Sequence, residues 1–436
     1  MNYPQVLKKL LTPGIGVKRW LVLLTAGVIA SAFGIALGLI RIIRVRDALV
    51  EAAISVTWVE ITLITLVGAL TVVVAVVKLS RSLIAPYRRM MPTPFLDAVV
   101  SHSRLNKGIR VVAIGGGTGM PSVLKGLKSF TSNITAVVTV ADDGGSSGRL
   151  RREFGVLPPG DLRNNIAALA DDESLMTQLF QHRFNRGDLE GHAFGNLFIT
   201  ALAGVTGSLE TALVETERVL NIQGRVLPAT LYEVALSAAI RLPDSDAVIQ
   251  VQGESQISQT GGEIIDLSIL PDRVEAFSGS VSAILEADII TIGPGSLYTS
   301  ILPNLLVKGI ADALRATNGY KIYICNIATQ PGETQGYSVA DHVMALEKHI
   351  GRGVFQLVLA NSAFPLENAG QNTRYVEMAP PHHEITQRYE IHYADLVDVQ
   401  RPWRHDPRKL AQAIIAACEA ERVYRAPSSF VASLLS

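Results

Sequence analysis

The chain has 436 residues, which suits one large domain plus an appendage. Its 39 basic and 39 acidic residues cancel, leaving no electrostatic case for nucleic-acid binding. Two cysteines, Cys325 and Cys418, exclude a disulfide framework and a cysteine-held metal cluster, and fit a reducing cytoplasm.

The apolar excess lies in the first 85 residues. Leu21 to Ile40 carries no charge, and Ile54 to Val77 carries only Glu60. Each run is long enough to cross a hydrocarbon core about 30 Å thick, so residues 1–85 read as a membrane anchor with two transmembrane helices, near 21–43 and 54–77. Two buried core helices are the alternative. A signal peptide is not expected, because the first run is long, no small-residue cleavage site stands out and a second apolar run follows. Lys8, Lys9, Lys18 and Arg19 precede the first span, and Lys78, Arg81, Arg88 and Arg89 follow the second. The loop between them has Arg41, Arg44 and Arg46 against Asp47 and Glu51. The flanks are the more basic, which predicts a location in the cytoplasmic membrane with both termini and the main domain on the cytoplasmic side. Glu60 is expected near the outer interface, with no functional role. Residues 86–107, with Pro86, Pro92 and Pro94, read as a juxtamembrane linker whose Arg88 and Arg89 could meet anionic headgroups.

From 108 to 436 strand-like runs alternate with helical patterns, the signature of an α/β domain with a mostly parallel sheet and helices on both faces. Strands are expected at Ile109–Ile114, Ala136–Ala141, Ala247–Gly253, Asp288–Ile292, Lys321–Ile327 and Val354–Ala360. Helices are expected at Pro121–Ser129, Asp161–Ala170, Leu209–Leu220, Leu231–Ala239 and Lys409–Glu421, with Asp161 as an N-cap after a Pro-Pro-Gly turn.

Several of these strands run into glycine-rich turns, which let backbone N–H groups approach a ligand. A following helix adds a partial positive charge suited to phosphate. The first turn is Gly115-Gly116-Gly117-Thr118-Gly119. It lacks the Gly-Lys-Ser/Thr of a Walker A loop, and Met120 replaces the last glycine of the dinucleotide fingerprint. The second is Asp142-Asp143-Gly144-Gly145-Ser146-Ser147-Gly148, whose paired carboxylates suit a divalent cation such as Mg2+ or a ribose hydroxyl. Arg163 and Asn164 fall in the first turn of a helix, where a cation opposes the helix dipole and is better explained by an anionic ligand or an ion pair. His192, between glycines and four residues before Asn196, could bond a phosphate or act as a general acid or base. The third strand-to-glycine turn holds Gly293, Gly295, Ser296 and Tyr298. Ser296 is placed to cap the next helix, and Tyr298 to stack on a base or bond a sugar. A fourth turn offers Thr329 and Gln330 and reads equally well as plain surface. The segment Pro380-Pro381-His382-His383-Glu384 is either a ligand lid or surface, and adjacent histidines on a strand would point different ways, against a metal site.

Together these segments closely resemble the YvcK branch of the CofD-like family, the gluconeogenesis factors. The resemblance is carried by Gly-Gly-Gly-Thr-Gly at 115–119, Asp-Asp-Gly-Gly-Ser-Ser-Gly at 142–148, Pro-Pro-Gly-Asp-Leu-Arg-Asn at 158–164, Gly-His-Ala-Phe-Gly-Asn at 191–196, Gly-Pro-Gly-Ser-Leu-Tyr-Thr-Ser at 293–300 and Thr-Gln-Pro-Gly-Glu-Thr at 329–334. It implies a Rossmann-like domain that binds UDP-sugars, notably UDP-N-acetylglucosamine, and regulates the link between carbon metabolism, cell-wall precursor supply and cell shape. It also implies that Tyr298 corresponds to a tyrosine associated with UDP-sugar binding. The expected ligand set is Gly116, Gly117, Thr118, Gly119, Asp142, Asp143, Gly144, Gly145, Ser146, Ser147, Arg163, Asn164, His192, Asn196, Gly293, Gly295, Ser296, Tyr298, Thr329 and Gln330. A partner enzyme of amino-sugar synthesis is expected, and self-association stays open. The sister branch, 2-phospho-L-lactate transferase, implies the alternative: a magnesium-dependent transferase using a GDP-activated donor, with Asp142, Asp143 and His192 catalytic. An NAD-dependent oxidoreductase is a third and weaker reading. The two N-terminal spans depart from the usual soluble family pattern and predict tethering at the inner membrane face.

Overall fold

The structure is a computed structural model and describes residues 17–43, 57–84, 105–170, 174–243, 245–365 and 374–425. The chain divides into two compact units, Met1–Ser101 and His102–Ser436. Most of the expected linker, including Arg88 and Arg89, and the loop residues Arg44 to Glu51 lie outside the described residues.

Among the described residues the N-terminal unit contains two helices, α1 (Val17–Ile43) and α2 (Trp58–Ile84). Glu60 lies in the first turn of α2, where its carboxylate accepts from the Thr57 N–H (2.7 Å) and hydroxyl (2.9 Å), while the Thr57 hydroxyl accepts from the Glu60 N–H. This reciprocal capping explains a charged residue at the edge of an apolar run. The helices pack through small residues. Gly27 and Gly34 on α1 and Ile61, Gly68 and Ala75 on α2 are buried, at seven-residue spacing. A Cβ at Gly68 would stand 2.6 Å from the Ser31 backbone nitrogen, so the backbones approach as closely as glycine allows. Within them Arg19–Ile40 and Trp58–Arg81 are long and apolar enough to cross a membrane.

The C-terminal unit is an α/β domain. Its main sheet has seven strands, all parallel, in the order β10-β9-β8-β7-β1-β2-β3. The strands are β1 (Val111–Gly115), β2 (Ile134–Val138), β3 (Arg225–Pro228), β7 (Ile289–Ile292), β8 (Tyr320–Ile324), β9 (Leu357–Asn361) and β10 (Glu390–Ala394). Every residue of β1, β2, β7, β8 and β9 is buried, so both faces of the sheet are covered. A separate antiparallel sheet, β5-β4-β6, comprises β4 (Ala235–Arg241), β5 (Val248–Gln252) and β6 (Glu263–Leu270).

Two expectations are corrected here. Leu231–Ala239 does not form a helix; its second half enters β4, where Leu236, Ala238 and Ile240 are buried and their neighbours are not. That alternation has period two, and cross-strand pairing fixes it. The run at 247–253 is a strand, but of the small sheet.

The helices of the unit are α3 (Met120–Leu127), α4 (Gly145–Phe154), α5 (Gly160–Leu169), α6 (Leu175–Gln181), α7 (Phe194–Thr206), α8 (Leu209–Leu220), α9 (Glu254–Thr260), α10 (Ser278–Glu286), α11 (Leu302–Leu305), α12 (Lys308–Ala316), α13 (Val339–Ile350), α14 (Glu384–Arg388) and α15 (Pro407–Arg425). A π-helical turn, Leu297–Ile301, precedes α11. His382 and His383 lie in the turn before α14 rather than on a strand, and the His383 ring accepts from the Ile385 N–H as its cap. From β1 the chain builds β2 and β3 on one side and β7 to β10 on the other. The crevice between β1 and β7 is therefore the topological switch point, where open α/β sheets hold ligands.

Candidate functional site

The turns that follow β1, β7 and β8 are locked together at this crevice. A Cβ on Gly119 would stand 2.7 Å from the Pro294 carbonyl oxygen, so only glycine permits the first and third turns to touch. Asn326, just after β8, joins the third turn to the fourth: its Oδ1 accepts from the Gly295 N–H (3.1 Å), and its Nδ2 donates to the Gly295 carbonyl (2.8 Å). Ser296 was expected to cap a helix, but its hydroxyl donates to Gln330 Oε1 (2.6 Å). Thr118, Gly119, Ser122, Gly295, Thr329 and Gln330 line the resulting cleft, together with Trp403 and Arg404 from the C-terminal segment.

Two protein carboxylates fill positions that the sequence reserves for ligand or cap. Asp161 is not the N-cap of α5. The helix begins one residue earlier with Pro159 in the capping position, and the Asp161 carboxylate accepts from the Gly117 N–H of the first turn (2.7 Å). Burial pushes its pKa up to about 6, a rise that the Gly117 bond opposes. Glu333 accepts from the Tyr298 N–H (3.2 Å), the Thr299 hydroxyl (2.8 Å), Gln330 Nε2 (2.8 Å) and the Ser258 hydroxyl (3.3 Å). It thus closes the start of the π-helical turn with a buried carboxyl group, whose pKa burial raises against these hydrogen bonds. Tyr298 itself is only 2% exposed. Its hydroxyl shares a hydrogen bond with that of Tyr337 (2.9 Å), and its ring meets Tyr337 and His349 edge to face. The structure therefore places the expected sugar- or base-contacting tyrosine in the core.

The second turn gathers another group. Asp142 Oδ1 accepts from the Gly144 N–H (2.9 Å), and Asp143 Oδ1 accepts from the Ser255 N–H at the start of α9 (2.9 Å). Each of the paired carboxylates thus serves a different backbone donor. Among the described residues no three His, Cys, Asp or Glu side chains are grouped to hold a metal. Asp142 and Asp143 fit Mg2+ only in the way Mg2+ commonly binds, by one or two carboxylates plus the phosphates of a ligand. Burial raises the Asp142 pKa, and burial together with Asp142, Asp143, Asp161 and Glu333 pushes Glu254 up to about 8. Behind these acids, Asn196 Nδ2 donates to the Ser146 hydroxyl (3.0 Å), which shares a further hydrogen bond with His192 Nδ1 (3.1 Å). Burial, with Arg149 nearby, lowers the His192 pKa. Arg163 is 8% exposed. Its Nη2 donates to Asn164 Oδ1 (2.6 Å), its Nε has no partner, and burial and Arg183 lower its pKa.

The expected residues thus fall into two places joined by the Asp161–Gly117 bond. Thr118, Gly119, Gly295, Ser296, Thr329 and Gln330 line the cleft, whereas Asp142 to Ser147, Arg163, Asn164, His192 and Asn196 surround the starts of α4 and α5. Sequence reasoning missed Glu254, Asn326, Trp403 and Arg404 as site residues. Trp403 had one usable signal, an isolated indole in the polar run Arg401-Pro402-Trp403-Arg404.

The family model described as 2-phospho-L-lactate transferase CofD matches residues 111–391. A putative gluconeogenesis factor of Nostoc sp. strain PCC 7120 is 43% identical over 423 residues, covering 93% of this chain and 91% of that protein, so the match reaches into the N-terminal unit. The gluconeogenesis factor of Bacillus subtilis strain 168 is 49% identical over 254 residues, 58% of this chain and 78% of that protein. A crystal structure of a UPF0052 family member from Bacillus halodurans superposes with a TM-score of 0.67 at 40% identity, covering 71% of this chain and 99% of that one. The parallel sheet, its glycine turns and these matches agree: the chain belongs to the CofD family and, within it, to the gluconeogenesis factors.

Proposed function

We propose that this protein is a membrane-tethered regulator that binds UDP-N-acetylglucosamine at the carboxyl edge of its main sheet and links carbon metabolism to cell-wall precursor supply and cell shape. The observation that carries the reading is the cleft at the β1/β7 switch point, beside which the Asp161–Gly117 bond ties the first turn to α5. From β8 to β2 this edge spans three inter-strand steps, roughly 14 Å, a length suited to an extended nucleotide-sugar. At the start of α3 the backbone N–H groups of Thr118, Gly119 and Met120 would meet phosphate, since Pro121 has none and Ser122 donates its own to the Gly119 carbonyl, and the carboxylates of Asp142 and Asp143 suit sugar hydroxyls. Arg163 would balance phosphate charge from the α5 side. Ligand binding would regulate by differential affinity for two states of the protein, one of which engages an enzyme of amino-sugar synthesis. The apolar helices would anchor the domain on the cytoplasmic side, near the assembly that consumes the ligand.

A second reading, a transferase with a GDP-activated donor, draws on the buried carboxylates with raised pKa and on the Ser146–His192 pair. Isothermal titration of the full chain in detergent separates the two. Micromolar binding of UDP-N-acetylglucosamine, weakened at least tenfold in Arg163→Met, supports the regulator. Preferential GDP binding that requires magnesium and is abolished in Asp142→Asn would overturn it in favour of the transferase.

A further inference from the structure

Among the described residues the two sheets end on four edge strands, β10, β3, β5 and β6. A bare edge offers a row of N–H and carbonyl groups to any extended chain, so folded proteins cover or charge their edges. On β3 the Val226 N–H donates to the Glu217 carboxylate of α8 (2.6 Å). Pro228 of the same strand has no N–H, and its carbonyl accepts from the Ser280 hydroxyl (2.8 Å). On β6 the Leu267 N–H donates to His349 Nε2 of α13 (3.2 Å), and the Ile265 carbonyl accepts from Lys348 Nζ. The outermost strand of the main sheet, β10, carries Glu390 and His392. Only β5, Val248-Ile249-Gln250-Val251-Gln252, has no charge and no proline, and all of it but the half-buried Val251 is exposed.

The direction of its free groups follows from the hairpin. The Leu242 N–H donates to the Ala247 carbonyl (3.1 Å) and the Gly253 N–H to the Leu236 carbonyl (2.8 Å). Between them Ile240 lies opposite Ile249 and Ala238 opposite Val251. Bonded pairs alternate in an antiparallel ladder, so Ile249 and Val251 turn their backbone groups to β4, and Val248, Gln250 and Gln252 turn theirs outward. Among the described residues no partner from another element meets these outward groups. The row is self-complementary. Two copies of β5 laid antiparallel about a two-fold axis at Gln250 set Gln250 against its own copy and Val248 against Gln252, which makes about six backbone hydrogen bonds. Ile249 then meets Val251 of the second copy, a β-branched pair that extends the apolar row begun by Ile240 and Ala238. With no charge in the strand, the pairing sets no like charges opposite each other. We infer that β5 is the self-association surface of this protein, joining the small sheets of two copies into one continuous antiparallel sheet. The strand leads through Gly253 into Glu254 and Ser255, whose N–H holds Asp143, so pairing also fixes the entry to α9 beside the candidate site. The assignment is independent of which ligand that site takes.

The test reads the protein mass of the full chain in detergent by light scattering after size exclusion, at micromolar concentration. The wild-type chain should show the mass of two copies. Gln250→Lys sets like charges against each other on the axis and should give the mass of one copy, as should Gln250→Glu. An equimolar mixture of these two variants should recover the double mass, because opposite charges then meet, whereas mixing cannot rescue a misfolded chain. Gln250→Pro removes an outward N–H and leaves every bond to β4 in place, so it too should give a single copy, while Gln250→Thr should stay paired. Gln250→Cys should crosslink to its own copy under mild oxidation, Cys325 and Cys418 both being buried. A wild-type chain with the mass of one copy overturns the assignment. So does a double mass that survives in Gln250→Lys, Gln250→Glu and Gln250→Pro, which would move the contact to another surface such as the N-terminal helices. Failure of the mixed charge variants to pair overturns it as well.

Discussion

In the N-terminal helices Val22, Phe33, Leu66 and Leu70 are each more than half exposed, while Gly27, Gly34, Gly68 and Ala75 are buried. In the C-terminal unit the order is reversed: Ile114, Val137, Ile292, Ile324 and Leu359 are fully covered inside the sheet layers. Water favours the second arrangement, because burying large aliphatic side chains is what stabilises a globular core. In a hydrocarbon surround a leucine gains nothing by turning inward. Small residues that let two backbones approach then become the better interface. The difference teaches that one chain carries two packing rules and that glycine serves both, by admitting a helix in the first unit and a neighbouring turn in the second.

The largest expected effect comes from removing the first unit. Deletion of residues 1–101 should move the protein from the membrane pellet to the soluble fraction, and a truncated protein that still sediments with membranes would refute the tether. Next come the two glycines. In Gly119→Val the new side chain meets the Pro294 carbonyl, a backbone atom that cannot swing aside, and the C-terminal unit should lose about 3 kcal/mol in urea unfolding. Gly68→Val meets the Ser31 backbone and should disrupt the helix pair while leaving the urea midpoint of the C-terminal unit in place. A shared loss in both variants would show that the units do not obey separate rules. The smallest effect is a pH dependence confined to the C-terminal unit. Glu254 has its pKa raised from 4.5 to about 8, so the folded state holds the proton more tightly than the unfolded chain. Its contribution is therefore present at low pH and is lost as the pH rises through about 8. Glu254→Gln should flatten that decline and stabilise the unit at pH 8 by on the order of 2 kcal/mol, with little change near pH 4.5, as read by thermal unfolding at both values.

What could be read from the sequence follows from the range of the interactions involved. The strands β1 and β7 announce themselves as short β-branched runs with glycines after them that mark where the chain must turn, and β8 and β9 as short apolar runs. The two apolar helices are equally plain. Tertiary partners decided the rest. Leu231–Ala239 has no local feature that favours strand over helix until β5 and β6 pair with it. Asp161 after Pro-Pro-Gly has every local mark of a cap, and its actual partner, Gly117, lies 44 residues upstream. Tyr298 beside glycines looks like a ligand contact until Tyr337 takes its hydroxyl. Glu254, at the start of α9, and Trp403, in the loop between β10 and α15, reach the site from distant elements, and no spacing rule joins them to the glycine turns.

The bond from Asp161 to Gly117 also bears on what this protein ignores. Small free anions, inorganic phosphate above all, would be collected indiscriminately by a bare glycine turn at a helix start. Here the turn arrives with a carboxylate already seated, and Glu333 does the same for the turn after β7. A stray phosphate finds the Gly117 N–H already taken, which leaves only the Thr118, Gly119 and Met120 side of the turn for the phosphates of the proposed ligand. A larger molecule that brings its own ring and hydroxyl groups can still engage the surrounding walls. On the proposed reading, the fold thereby gains discrimination against small anions before a nucleotide-sugar arrives.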